Sequence, residues 1–327
     1  MSAFPFRVAS LMSLGMFIGA ATALSVQAQT FPSKPIRLVV ANAPGGNADL
    51  VSRMAAEAIS RELGNPVFVE NQAGGRQIPG TNFVARSAPD GHTLLGVGLV
   101  FAINAGLYND LPFDPLKDFA PVGLVGSTPQ LILSAPSFPP NNIKELIALA
   151  KARPDTIHYS STGIGGTGHL GGELLKSMAG IKLVHVPYKG TAQANADAMK
   201  GVIELTMAAP ASVVSLIKAG RLKALAIASP RRSAQMPDVP AVAEAVPGYS
   251  LMLWNGVSAP AATPKPVIAR LNTALNKGIS TADLKDRLLK AGVEVDPMTP
   301  EETADFIESE ITKWAKVVKE AGIRSER

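Results

Sequence analysis

Apolar positions along this chain fall into two rhythms. Short unbroken apolar runs alternate with longer stretches in which apolar residues return every three or four positions. Residues 36–41, 67–69 and 92–97 read as buried strands, and residues 50–63 and 82–87 as helices. The strand pattern recurs at 157–160, 183–186, 203–207 and 222–228, each followed by a helical stretch or a loop rich in Gly, Pro, Ser and Thr. Strands spaced by single helices predict parallel sheets built from βαβ units, an α/β fold. A helix closes the chain. Thr299 and Glu302 form a capping box with Pro300 at the first helical position, and Gly322 ends the element. Ile307, Ile311, Trp314 and Val318 recur at helical spacing, so Trp314 is expected in the core.

Two extended runs break the alternation. Residues 121–136 hold apolar segments around Ser127-Thr128-Pro129, and residues 251–260 follow a Pro247-Gly248 turn. If both cross between lobes, residues 29–126 and 252–327 build one lobe and residues 127–251 the other. Two such strands make a hinge.

The first 28 residues change the compartment. They carry one charge, Arg7, then an apolar stretch ending in Ser25-Val26-Gln27-Ala28, with small residues at −3 and −1. That is the pattern of a secretory signal peptide cleaved after Ala28. The run is interrupted by Ser10, Ser13 and Thr22 and is short for a membrane anchor. With no cysteine in the chain, disulfides, thiol catalysis, thiol metal sites and lipidation are excluded, and an exported protein free in solution is expected. Losing Arg7 leaves 30 basic residues against 26 acids. A net charge of +4 with dispersed basic residues suits an anionic ligand and does not resemble a nucleic-acid footprint.

Glycine-rich loops are the main chemical signal. The loop of Pro44, Gly45, Gly46 and Asp49 lies between the first strand and the first helix. Its glycines permit close backbone approach, and a helix start offers unpaired N–H groups that suit a carboxylate. The alternative is a tight strand-to-helix turn with Asp49 capping locally, but the loop's place at the carboxyl end of a parallel strand favours binding. A second loop runs from Ser161 and Thr162 through Gly163, Gly165, Gly166, Thr167 and Gly168 to His169, and it contains G-x-G-x-x-G. Dinucleotide binding needs an acid at the end of the following strand. That strand ends in Val186-Pro187-Tyr188-Lys189, so no cofactor is expected, and an anion nest of backbone amides remains. Tyr188, Lys189, Gly190 and Thr191 open the next helix, with Lys189 either solvated or a ligand contact. No metal-site or P-loop spacing occurs. A Ser161–His169 pair is the one nucleophile–base arrangement, and it lacks an orienting acid.

In this order along one chain, these residues resemble the extracytoplasmic solute receptors of tripartite tricarboxylate transporters, the Bug family. The likeness starts at Phe31-Pro32-Ser33-Lys34-Pro35 and the Pro44–Gly46 loop. It continues through Pro89-Asp90-Gly91-His92 and Phe113-Asp114-Pro115-Leu116-Lys117-Asp118, then the second glycine loop, Val186-Pro187-Tyr188-Lys189-Gly190 and Pro237-Asp238-Val239-Pro240, ending at Ala259-Pro260 with Thr263-Pro264. The resemblance implies a two-lobed periplasmic binding protein (Venus-flytrap) fold with two interdomain crossovers. It implies capture of a small organic anion for membrane permease subunits, or its presentation to a membrane sensor, without catalysis. Carried over by motif, the contacts are Asn42 with the first glycine loop, the 98–104 segment, the second glycine loop, the 188–191 turn, and Met207 and Ala208. Asp197 matches as a loop buttress or an amine contact. The chain departs from the family at Val100 and Phe101, ahead of Asn104, where Thr and His are usual. It also lacks an acid or amide near Ala209, and its 71–80 loop is worded differently. These changes imply a less polar cleft with Phe101 as a wall, suited to a monocarboxylate or aromatic acid rather than citrate.

Overall fold

A computed structural model describes residues 31–323; the segment expected to be a signal peptide lies outside the described residues. The chain begins with β1 (Ile36–Val40), α1 (Asn47–Leu63), β2 (Val67–Asn71), α2 (Ile78–Ala85), β3 (Thr93–Gly98), α3 (Leu99–Leu107) and the long β4 (Phe119–Pro129). It continues through β5 (Leu131–Ser134), α4 (Ile143–Ala152), β6 (His158–Ser161), α5 (Thr167–Ala179), β7 (Val184–Pro187), α6 (Thr191–Met199), β8 (Leu205–Ala208), α7 (Pro210–Lys218) and β9 (Lys223–Ile227). β10 (Met252–Pro260) returns, followed by α8 (Lys265–Ile279), α9 (Ala282–Lys290), β11 (Glu294–Val295) and α10 (Pro300–Glu320).

Two separate sheets result, with strand orders β11-β4-β10-β3-β1-β2 and β7-β6-β8-β5-β9. The chain leaves the first sheet after Pro129 and re-enters it at Met252, so the first sheet is assembled from both ends of the sequence. The expectation of parallel sheets holds for β1 with its neighbours β2 and β3 and for β6 with β7 and β8. It fails where strands cross. β10 arrives from the other sheet and therefore runs antiparallel to β3 and β4, and β5 is antiparallel to β8 and β9.

Local sequence accounts for the elements that carry the site. β1 and β3 are near-continuous apolar runs, buried between helices. α1 presents Val51, Met54, Ala55, Ala58 and Ile59 to the core and ends at Gly64 in the left-handed region. The last helix forms as its caps direct: the Thr299 hydroxyl accepts from the Glu302 amide, and Trp314 is fully buried. Helix α3 was not read from the pattern. Its face against α10 is so close that a Cβ on Gly106 would lie 2.5 Å from the Ala315 Cα.

Candidate ligand-binding cleft

Five helices begin at the carboxyl ends of strands and around two cavities: α1, α3, α5, α6 and α7. None is closed by a side-chain cap, and four of the five start at glycine (Gly46, Gly98, Gly166 and Gly190), the fifth at Ala209. By contrast, Asn142 and Thr299 cap α4 and α10. A helix start with unoccupied amides and a positive dipole end attracts an anion.

One cavity, about 250 Å³, belongs to the first sheet and includes Asn42, Asn47, Ala48, Gln77, Gly98, Val100 and Asn255. The other, about 290 Å³, belongs to the second and includes Gln130, Ser160, Ser161, Thr162, Thr167, Thr191, Thr206, Met207 and Ala208. Leu253 of β10 is a wall of both, so the two meet at the returning strand. No charged side chain lines either one. The halves also touch directly: Arg76 Nη2 donates to the Gly165 carbonyl at 3.3 Å. A larger groove of about 840 Å³ lies on the outer face of the first sheet, between Arg37 and Arg86, away from these helix starts.

Several residues singled out in the sequence serve the cleft indirectly. Asp49 is buried and its carboxylate is fully engaged, accepting from the Gly45 amide (2.9 Å), Arg53 (3.0 Å) and Asn71 (2.9 Å). Burial alone would raise its pKa, but these hydrogen bonds, Arg53 first, outweigh it and hold the group at about 2. Asp49 therefore pins the loop, and the Gly45 amide is spent on it. Pro44, Gly45 and Gly46 stand exposed at the loop tip. In the second loop the amides turn inward as well. Gly163 donates to Ser161 Oγ, Gly165 to His169 Nδ1 and Gly166 to the Gly163 carbonyl. The expected open nest of glycine amides is thus a self-satisfied turn, and the donors left facing the cavity are the first turn of α5 and the hydroxyls of Thr162 and Thr167.

Phe101 is not a cleft wall. α3 rotates successive residues by about 100°, so Val100 faces the cavity while Phe101 is buried against Phe113 and Phe119. Asn104 is buried too, and its Nδ2 holds the Arg76 carbonyl at 2.7 Å. Lys189 is exposed and Gly190 half-buried, and both are outside the cavity lining. Burial, with Asp197 beside it, raises the Tyr188 pKa, so this acid meets a neighbouring phenol. Sequence reasoning missed Gln130, Ser160, Leu253 and Asn255. For Gln130 and Asn255 the signal was a polar side chain in an otherwise apolar crossing run; Leu253 on β10 and Ser160 on β6 carried none.

The Ser161–His169 pairing is replaced by another. Ser161 Oγ lies 2.6 Å from His185 Nε2, and His185 stacks on His169 with ring centroids 3.9 Å apart. Glu173 stays close, 3.8 Å from His169 Nε2, but is held by Tyr159 and Lys176. Burial, then His169, pulls the His185 pKa down to about 4, and burial lowers that of His169. Both rings are neutral in the folded protein, whereas unfolded histidines take up protons near pH 6.5. The unfolded chain thus binds more protons between pH 6.5 and about 4, and stability falls as pH drops through that window. The expected result is a melting temperature that declines from pH 7 to 4, with a shallower decline in His185→Phe. An unchanged slope in that variant would remove the histidine stack as its cause.

A two-sheet α/β fold with facing helix starts around a cleft is the architecture of the periplasmic binding proteins. Residues 51–323 match the family described as tripartite tricarboxylate transporter family receptor, and the chain belongs to that family. It is 34% identical to protein BugT of Bordetella pertussis (strain Tohama I / ATCC BAA-589 / NCTC 13251) over 96% of this chain and 98% of that one. A Rhodopseudomonas palustris protein solved with adipate is 31% identical, with a TM-score of 0.74 over 90% of this chain and 99% of its own. MatC from the same species, solved with bound malate, is 31% identical, with a TM-score of 0.71 over 88% and 100%. The family is one of receptors, and the chain is a binding protein rather than an enzyme.

Proposed function

We propose that this protein is an exported periplasmic receptor that encloses a small organic carboxylate between its two lobes and presents it to membrane permease subunits. Uncapped helix starts converging on cavities without a charged side chain carry this reading. Such a lining favours one anion held by amide dipoles and hydroxyls, and each charge-assisted hydrogen bond contributes about 1.5–3 kcal/mol. Micromolar affinity needs about 8 kcal/mol, so several donors from both lobes must act together. Closure about the crossings at Gln130 and near residues 251–252 supplies the second set, and the ligand selects the closed form through it. The signal peptide is cleaved after Ala28, and the mature chain acts as a monomer.

Relatives solved with adipate and malate support the carboxylate class. Val100, Met207, Ala208 and Leu253 make much of the lining apolar here, which favours a monocarboxylate or aromatic acid over citrate. A thermal-shift and calorimetry screen of small acids, with solution scattering on the binders, tests both parts. Benzoate-like acids are expected to bind with a smaller radius of gyration, and citrate to be inert. Tight citrate binding with benzoates inert would overturn the ligand class, and binding without compaction would overturn closure.

A further inference from the structure

We propose that Gln130 and Ser160 form a ligand subsite at the hinge that takes an uncharged oxygen, hydroxyl or carbonyl, carried by the ligand away from its carboxylate. Gln130 is the single residue between β4 of the first sheet and β5 of the second. Its backbone ties the crossings together: its amide donates to the Leu251 carbonyl at 3.3 Å, its carbonyl accepts from Ala228 at 2.7 Å, and Leu251 donates to Ala228 at 2.8 Å. The side chain is 7% exposed and lines the second-sheet cavity, yet its Nε2 has no hydrogen-bond partner. Ser160, 1% exposed, lines the same cavity, and its Oγ is equally unpartnered.

Gln130 Nε2 and Ser160 Oγ are shielded polar atoms beside the cavity, and such orphaned groups are costly in a folded chain unless ligand binding completes them. An amide N–H only donates and a hydroxyl can donate, so together they match an oxygen acceptor. With no cationic side chain in the lining, a neutral oxygen is buried there at less cost than a second carboxylate. Since the donor sits on the crossing itself, occupancy favours one hinge position directly. Met207, Ala208 and Leu253 leave apolar wall beside it for the carbon skeleton.

This inference rests on the proposed function. The test compares matched acids by calorimetry: benzoate with 3- and 4-hydroxybenzoate, and hexanoate with 6-hydroxyhexanoate, on the mature wild-type protein, Gln130→Leu and Ser160→Ala. At least one hydroxy acid is expected to bind the wild type about tenfold or more tightly than its unsubstituted partner, because a site built to hydrogen-bond a group rejects the analogue lacking it. Gln130→Leu should erase that preference, so that the two acids of a pair bind it alike, and its ligand-free melting temperature should equal or exceed that of the wild type. Should Gln130→Leu not melt cooperatively, Ser160→Ala carries the same comparison. A preference that survives in the variants, or no preference in any pair, overturns the subsite. Failure of every acid to bind the wild type overturns the proposed function itself and the subsite with it.

Discussion

Leu253→Glu is expected to lose anion binding by about three orders of magnitude and still fold. Leu253 is only partly buried and belongs to both cavities, so a carboxylate placed there meets the ligand whichever lobe binds first. Two like charges about 4 Å apart repel by about 4 kcal/mol at an effective dielectric constant of about 20. At about 1.4 kcal/mol per decade, that is a factor of roughly 1,000 in affinity. No cationic side chain in the lining can absorb the new charge. Leu253→Gln is the control, neutral and similar in volume, and should stay within about tenfold of the wild type. Calorimetry with the best-binding acid from the screen decides the matter: equal affinity for the glutamate and glutamine variants would mean that the bound species is not an anion at this strand.

The parts of this molecule legible in the sequence are those decided by neighbours along the chain. The apolar runs of β1 and β3 and the capping box of α10 depend on residues within a few positions, and they form at about the expected places. Helix α3 depends on distant ones. It is apolar nearly all round because Leu99, Phe101, Ala102 and Ile103 are buried, so no polar face marks its period. Phe101 was assigned to the cleft by motif alone, without a helical period to show that it and Val100 point to different sides. The glycine loops show the same limit at finer scale. Glycine placed the turns, but whether an amide points at a ligand or inward depends on partners the spacing does not reveal: Asn71 behind Asp49, and His185 behind Ser161. Which strands run antiparallel was hidden for a related reason. Direction follows from the side on which the chain re-enters a sheet, and no local pattern records it.

The floor of the cleft rests on an interaction that also joins distant residues. Trp254, next to Leu253 on β10, and Trp314 on α10 both donate their indole N–H to Glu310 Oε2 at 3.0 Å, and Lys313 pairs with the same carboxylate. Both indoles are fully buried and Glu310 is 7% exposed. Removing the acceptor strands two donors where water cannot replace it, at about 1–3 kcal/mol each, and leaves a void besides. Glu310→Ala is therefore expected to cost about 3–5 kcal/mol in urea unfolding, read as a lower midpoint at unchanged slope. Glu310→Gln keeps one acceptor oxygen in place and should cost less than about 2 kcal/mol, losing mainly the charge that strengthens both bonds. A loss below about 1 kcal/mol in the alanine variant would mean that the indoles find other acceptors, and β10 would then owe its position to packing alone.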